Sequence, residues 1–374
     1  MKKFLGKCTV ALFIVTAFIK EIFKKASSED PKNILVIATF RLGDLVFATP
    51  LLRAIRKQYP NANITVLVNK AFVDVLVGQE YVDTVLPYHG KKKHPSLVRK
   101  LRRGHYDLSI NICEGFLNGV VYGASIPRRI GFMQKERYKD KIFVNEPVTF
   151  SGEFKGIPAF FLKLFRPLGV YDVSETPLIE QQHQELPDCM VTKTPKTTIV
   201  IHPGSVEAIK VWPHYHDLVG MLVDKYGASI VLTGTESEKG PEDYTVFGEN
   251  ITDLRGKTSL KDLMALYSYA DVVVGNDTGP LNLARAMKIP PVTIFGPVSP
   301  IILGDVSEDM YAYTDVDCRP CHSTLFGMDV EGLSRCKNFS CQHRSCMTTI
   351  TPETILAKVE AIMGLDLLKS LLEV

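Results

Sequence analysis

Residues 34–68 read ILVIATFRLGDLVFATPLLRAIRKQYPNANITVLV. An apolar, largely β-branched run (34–39) leads into a turn with one glycine. A stretch with apolar residues at helical spacing follows, and then a second β-branched run (64–68). Two wholly apolar strands joined through a helix imply a parallel sheet covered on both faces. The rhythm continues with VDTVL (82–86) and LSINIC (108–113), and with helical stretches near 44–59, 71–78, 94–103, 115–124 and 153–168. After a loop-like stretch at 171–188, a second series begins: TTIVIH (197–202), SIVLTG (229–234), ITDL (251–254), DVVVGN (271–276) and VTIF (292–295). The predicted class is α/β, with two doubly wound Rossmann-like domains (31–190 and 191–350) facing each other across a cleft. A segment 1–30 precedes them, and a C-terminal helix (351–374) could pack on either.

The chain has 374 residues, 45% hydrophobic and 23% charged, which suits two globular domains and excludes a disordered polymer. Its net charge of +3 conceals a division. Residues 1–190 hold 28 Lys and Arg against 18 Asp and Glu (+10), and residues 191–374 hold 16 against 23 (−7). The basic half is expected to meet an anionic partner. At the N-terminus an apolar run from Cys8 to Ile19 is bracketed by lysines. It is shorter than the roughly 20 residues of a membrane-crossing helix, and no small-residue cleavage site precedes Ser27-Ser28-Glu29-Asp30. The expectation is an interfacial anchor; the alternative is an amphipathic helix packed on the body of the protein.

In open parallel sheets ligands bind beyond the carboxyl ends of strands, so the loops there carry the candidates. After the first strand, Asp44 opens a helix, where a carboxylate serves either as a cap or in chemistry, with Arg41 beside it. In HPGSVEAIKVWP (202–213), Gly204 and Ser205 can bring N–H groups to an anion, Lys210 adds positive charge, and Trp212-Pro213 reads as the packed start of the next helix. In LTGTESEK (232–239), Glu236 suits sugar or ribose hydroxyls, or a helix start. In GNDTGPLNLARAM (275–287), N–H groups near Thr278 and Gly279 open a helix, a good seat for a diphosphate.

Taken together and in this order, five segments resemble glycosyltransferase family nine, the ADP-heptose:lipopolysaccharide heptosyltransferases. They are Gly43-Asp44 with Pro50, His202 to Pro213, the LTG turn, Leu254 to Leu263, and Asn276 to Ala286. The resemblance implies a GT-B fold and inverting transfer with no required cofactor or metal. It assigns the acceptor to the first domain and a nucleotide-sugar, ADP-heptose foremost, to the second. It makes Asp44 the general base and Lys210 a contact to the donor diphosphate. Gly204, Ser205, Asp277, Thr278 and Gly279 become donor contacts, and Arg41 an acceptor contact. Glu236 lies within a residue or two of a family glutamate that binds the ribose. The chain departs from the family at Asn282, where histidine is usual; asparagine donates a hydrogen bond but carries no charge, which bears on the donor sugar. The expected acceptor is an anionic lipid-linked glycan at the cytoplasmic face of the bacterial inner membrane.

Cys318, Cys321, Cys336, Cys341 and Cys346 cluster in one segment. They lack the paired CxxC of a zinc ribbon, so thiols or a local disulfide compete with a metal site. Lys91-Lys92-Lys93, Arg99, Lys100, Arg102 and Arg103 form a basic patch without any nucleic-acid reading module, better suited to acceptor phosphates or lipid headgroups. Two rivals to the transferase are a non-catalytic GT-B carbohydrate- or lipid-binding protein and a sugar-nucleotide epimerase. Asp44 together with Lys210 argues against the first, and the basic half argues against the second.

Overall fold

The computed structural model describes residues 13–16, 30–90, 94–112, 117–133, 142–149, 154–170, 176–181, 186, 197–304, 306–318, 324–325, 328–329 and 341–372. The chain divides into two compact units, Met1–Pro177 and Leu178–Val374. The first is built on a parallel sheet of β1 (Asn33–Ala38), β2 (Asn63–Asn69), β3 (Thr84–Tyr88), β4 (Leu108–Asn111), β5 (Arg128–Phe132) and β6 (Glu146–Val148), ordered β3-β2-β1-β4-β5-β6. Its helices are α1 (Leu42–Phe47), α2 (Thr49–Gln58), α3 (Val73–Leu76), α4 (His94–Arg103), α5 (Leu117–Gly123) and α6 (Ile157–Leu162). The second sheet contains β7 (Thr198–His202), β8 (Ser229–Leu232), β9 (Ile251–Asp253), β10 (Val272–Asn276), β11 (Pro291–Ile294) and β12 (Tyr311–Ala312), ordered β12-β11-β10-β7-β8-β9 and again parallel. With it go α7 (Tyr215–Tyr226), α8 (Leu260–Tyr267), α9 (Gly279–Ala286), α10 (Ser345–Thr348) and α11 (Pro352–Leu372).

Counted from its own first strand, each sheet runs 3-2-1-4-5-6, so each unit has its topological switch point beside that first strand. A shared device secures this point in both units. Asp107, just before β4, accepts the Lys32 and Asn33 backbone N–H groups, both at 2.9 Å. Asp271, just before β10, accepts the Thr198 N–H at 2.7 Å. In each case the aspartate's own N–H donates to the neighbouring central strand, at Asn33 O (2.9 Å) and Thr198 O (3.0 Å).

Several local expectations change. The helix expected over 44–59 is two helices, broken at Ala48, with proline in the first turn of the second. Strands β5 and β6 lack an apolar run: β5 opens with Arg128 and Arg129, and β6 is only Glu146-Pro147-Val148. Arg128 pairs with Glu146 (2.8 and 3.0 Å) between these strands, and buried Arg129 donates to the carbonyls of Ile126 (2.6 Å) and Phe143 (2.8 Å). The boundary falls before the expected 190/191, because Ile179 N–H donates to Ala286 O (2.9 Å) and Gln181 to Met287 O (2.9 Å). The C-terminal helix belongs to the second unit: Ile355, Leu356, Val359 and Ile362 enter its core with Trp212, Leu218 and Leu222. Replacing Asp271 by Ala removes the carboxylate that accepts the Thr198 N–H, an expected loss of about 1–3 kcal/mol read from the urea-unfolding midpoint. An unchanged midpoint would refute the role given to this carboxylate.

Candidate functional site

The second unit's switch point lies between β7 and β10, and the loops leaving these strands are joined there by Asn276. This side chain is fully buried; its Nδ2 donates to the carbonyls of Pro203 (3.0 Å) and Gly204 (3.1 Å), and its Oδ1 accepts the Trp212 N–H (3.0 Å). Both ends of the 203–212 loop are therefore fixed to the end of β10. Trp212 is itself buried and donates from Nε1 to Ile350 O at 2.8 Å, so it packs as expected. Gly275 allows this closeness, since a Cβ there would lie 2.5 Å from Leu281 Cδ2 and 2.9 Å from His202 O.

The fixed loop brings Lys210 to the site. Its Nζ lies 3.2 Å from Asp277 Oδ2 and 3.6 Å from Glu207 Oε2, with the lysine side chain 15% exposed and Asp277 7%. Ser205 Oγ accepts the Glu207 N–H at 3.2 Å and shapes the turn between them. Thr278 is the N-cap of α9, but its hydroxyl donates to Asn276 O (3.2 Å) and no side chain caps the helix. Pro280 brings no N–H and the Asn282 N–H donates to Thr278 O (3.3 Å), which leaves Gly279 and Leu281 as the first-turn donors that no side chain caps. Asn282, buried on the same helix, accepts from Arg285 at 3.2 Å. Lys210, Asp277, Thr278, Gly279 and Asn282 thus converge with the Gly204-Ser205 turn. A cation, open backbone donors and a carboxylate together suit a phosphorylated, hydroxyl-bearing ligand.

The two glutamates after β8 separate. Glu238 closes its own turn, accepting from the Thr235 N–H (2.9 Å) and hydroxyl (2.7 Å), and packs against Gly204. Glu236 is exposed, with its carboxylate over Gly256. Buried His202 bonds Thr233 Oγ1 (3.2 Å); burial lowers its pKa and Glu238 partly offsets this, leaving a neutral imidazole at pH 7.

In the first unit, Asp44 is the third residue of α1, half-buried beyond the end of β1, and its Oδ2 accepts the Arg41 N–H at 3.3 Å. The helix therefore starts before Asp44, with Arg41 as its N-cap, and the carboxylate bonds back to the N-cap N–H from the third position and is not itself the cap. This bond is compatible with a chemical role, because a carboxylate has about four lone-pair sites. The Arg41 residue is exposed. Within the basic patch, Arg102 is engaged rather than solvated: it donates to Gly123 O (2.9 Å) and Thr16 Oγ1 (3.0 Å), with its guanidinium 4.5 Å from the Phe13 ring centroid. Residues 13–16 therefore pack on α4 and α5. The rest of segment 1–30, apart from Asp30, lies outside the described residues, as do Lys91 to Lys93, Cys321 and Cys336. No helix among the described residues is long and apolar enough to cross a membrane. Cys346 is a core residue of the second unit, Cys341 is partly buried and Cys318 is exposed; among the described residues no group of three or more metal-ligating side chains occurs.

Sequence reasoning missed Asn276, whose role follows only from the pairing of β7 with β10; its place at the end of an apolar strand was the available signal. A Cβ on Gly204 would meet Glu238 Cβ at 2.5 Å and Glu238 O at 2.8 Å. Gly204→Ala is accordingly expected to cost about 1–3 kcal/mol through overpacking, read by thermal unfolding. Wild-type stability would show that the two loops do not press together.

The model of glycosyltransferase family 9 (heptosyltransferase) matches residues 95–329. Lipopolysaccharide heptosyltransferase 2 of Escherichia coli K12 is 25% identical over 363 residues, covering 88% of this chain and 98% of that protein. Lipopolysaccharide heptosyltransferase 3 of Escherichia coli is 23% identical over 304 residues, covering 74% and 87%. Among solved structures, the ADP-heptose lipopolysaccharide heptosyltransferase II of E. coli superposes with a TM-score of 0.69 at 21% identity, covering 89% of this chain and 99% of that one. E. coli heptosyltransferase WaaC with ADP-2-deoxy-2-fluoro heptose gives 0.61 at 17% identity, covering 88% and 99%. The fold is that of the GT-B heptosyltransferases, and the chain belongs to glycosyltransferase family 9.

Proposed function

We propose that the protein transfers heptose from ADP-heptose to an anionic, lipid-linked glycan of the lipopolysaccharide-core type, with inversion at the anomeric carbon. The convergence of Lys210, Asp277 and the uncapped N-terminus of α9 carries this reading. The second unit holds the donor. Its diphosphate lies against Lys210, the Gly204-Ser205 turn and the N–H groups at Thr278 and Gly279, while Asp277 and Asn282 bind donor oxygens and exposed Glu236 meets the ribose. In the resting chain the Lys210 charge is balanced by Asp277 and Glu207. The arriving diphosphate shares that cation, and as the glycosidic bond breaks, Lys210 stabilises the negative charge that grows on the leaving group.

The first unit holds the acceptor, with Arg41 as a contact. Asp44 takes the proton from the acceptor hydroxyl as its oxygen attacks the anomeric carbon, which has acquired oxocarbenium character. The basic first half, +10 over residues 1–190, matches an anionic acceptor at the inner face of the cytoplasmic membrane. No step assigned to these residues uses a metal.

The test is transfer of heptose from ADP-heptose to a heptose-deficient lipopolysaccharide acceptor, with and without EDTA, alongside donor binding by calorimetry. Asp44→Asn should lower kcat by about 10²–10⁴-fold with donor affinity unchanged. Lys210→Ala should lower both donor affinity and kcat, kcat by about 10²–10³-fold. Transfer at the wild-type rate by Asp44→Asn would remove the proposed base. Binding of ADP-heptose without transfer by the wild type would favour a non-catalytic carbohydrate-binding protein. Loss of activity in EDTA would overturn metal independence.

A further inference from the structure

Arg285, in the last turn of α9, has no part in the roles given above. Side chains on a helix lean toward its N-terminus, so a long one reaches back over the residue three positions earlier. Arg285 Nη1 donates to Asn282 Oδ1 at 3.2 Å, and Nη2 donates to Thr293 Oγ1 at 3.0 Å. Thr293 is fully buried in β11, in register with Gly275 of β10, and the Asp277 N–H donates to the next residue's carbonyl, Ile294 O, at 3.0 Å. The guanidinium therefore lies beside the carboxyl ends of β10 and β11, against the loop that opens α9.

Both of its partners are neutral. Among the described residues no carboxylate lies within ion-pair distance of Arg285, and its Nε is enclosed without an acceptor. Asp277, whose carboxylate it feels through space, is in contact with Lys210 instead. Burial lowers the Arg285 pKa to about 10, with Asp277 acting in the other direction, so the charge is retained at pH 7. A partly buried cation that has no ion-pair partner among the described residues gains from an anion arriving nearby. The open N–H groups of α9 point to the same class of ligand.

A guanidinium can only donate, so Asn282 must turn its oxygen toward Arg285, which leaves the amide NH₂ for a ligand oxygen. We propose that Arg285 is a positioning residue for the donor diphosphate, orienting Asn282 as a hydrogen-bond donor and adding positive potential beside the α9 N-terminus. The proposal rests on the donor reading given above. It places the missing charge of the Asn282 position three residues further along the same helix.

The experiment is calorimetric titration of the full chain with ADP, with thermal unfolding and donor kinetics, for Arg285→Met, Arg285→Lys, Asn282→Ala and the Arg285→Met/Asn282→Ala double variant. The expected loss of ADP affinity is about tenfold for Arg285→Met and for Asn282→Ala, the scale of one hydrogen bond backed by a charge. The double variant should lose no more than the weaker-binding single variant, Arg285→Lys should recover most of the affinity, and KM for ADP-heptose should rise while kcat holds. Thermal stability of Arg285→Met should stay level or rise, whereas a merely structural arginine would lower it. Wild-type affinity in folded Arg285→Met, or losses that multiply in the double variant, would overturn the proposal. If Arg285→Met does not fold, wild-type affinity in Asn282→Ala would do so. A wild-type chain that binds neither ADP nor ADP-heptose would overturn the donor reading and this inference together; binding that is insensitive to position 285 overturns this inference alone.

Discussion

The carboxamide of Asn276 joins two loops that the chain separates by more than sixty residues, with three hydrogen bonds to the backbone at Pro203, Gly204 and Trp212. All three are buried, so removing the side chain would strand two carbonyls and one N–H away from water, at about 1–3 kcal/mol each. The constraint has a functional consequence. It fixes the start of the Gly204-Ser205 turn and the peptide two residues after Lys210 to the strand that leads into Asp277. The position of the lysine relative to the α9 N-terminus is therefore set before any ligand arrives, which is what electrostatic stabilisation of a leaving group requires.

The two sheets share one construction. In each, an aspartate before the fourth strand holds the N–H at the start of the first, and the loops past the other end of these strands carry the candidate chemistry. The units differ in what those loops present. The first offers a carboxylate in the first turn of a helix, Asp44, half-buried and accepting the Arg41 N–H. The second offers a lysine and helix-start N–H groups, with Glu207 and Asp277 balancing the Lys210 charge. This distribution opposes the overall charge, since the second half of the chain is the acidic one. In the proposed donor site, then, local geometry outweighs the net charge of the half that carries it.

Much of the fold was legible because parallel strands covered on both faces are apolar throughout, as at Ile34–Ala38 and Val272–Val274. Strands β5 and β6 were not legible. Arg129 is buried by giving its donors to backbone carbonyls and laying its guanidinium over the Tyr122 ring, and no periodicity records such pairings. The break at Ala48 was signalled only by Pro50, which the first turn of a helix tolerates as well as a loop does. At the site, the residue types and their order named Lys210, Asp277 and the α9 opening as candidates, and the structure brings these together. Sequence did not separate Glu236 from Glu238, because both follow the same strand and only the turn geometry shows which carboxylate closes on Thr235. The Asn282–Arg285 pair is local in sequence, but the buried setting that gives it meaning depends on Thr293 from another strand.

The most direct test is a crystal structure of the full chain with a non-transferable ADP-heptose analogue. The diphosphate is expected within hydrogen-bonding distance of Lys210 Nζ and of N–H groups in the first turn of α9, with the 203–212 loop still fixed by Asn276. A nucleotide bound elsewhere, with its diphosphate away from Lys210 and α9, would contradict this placement.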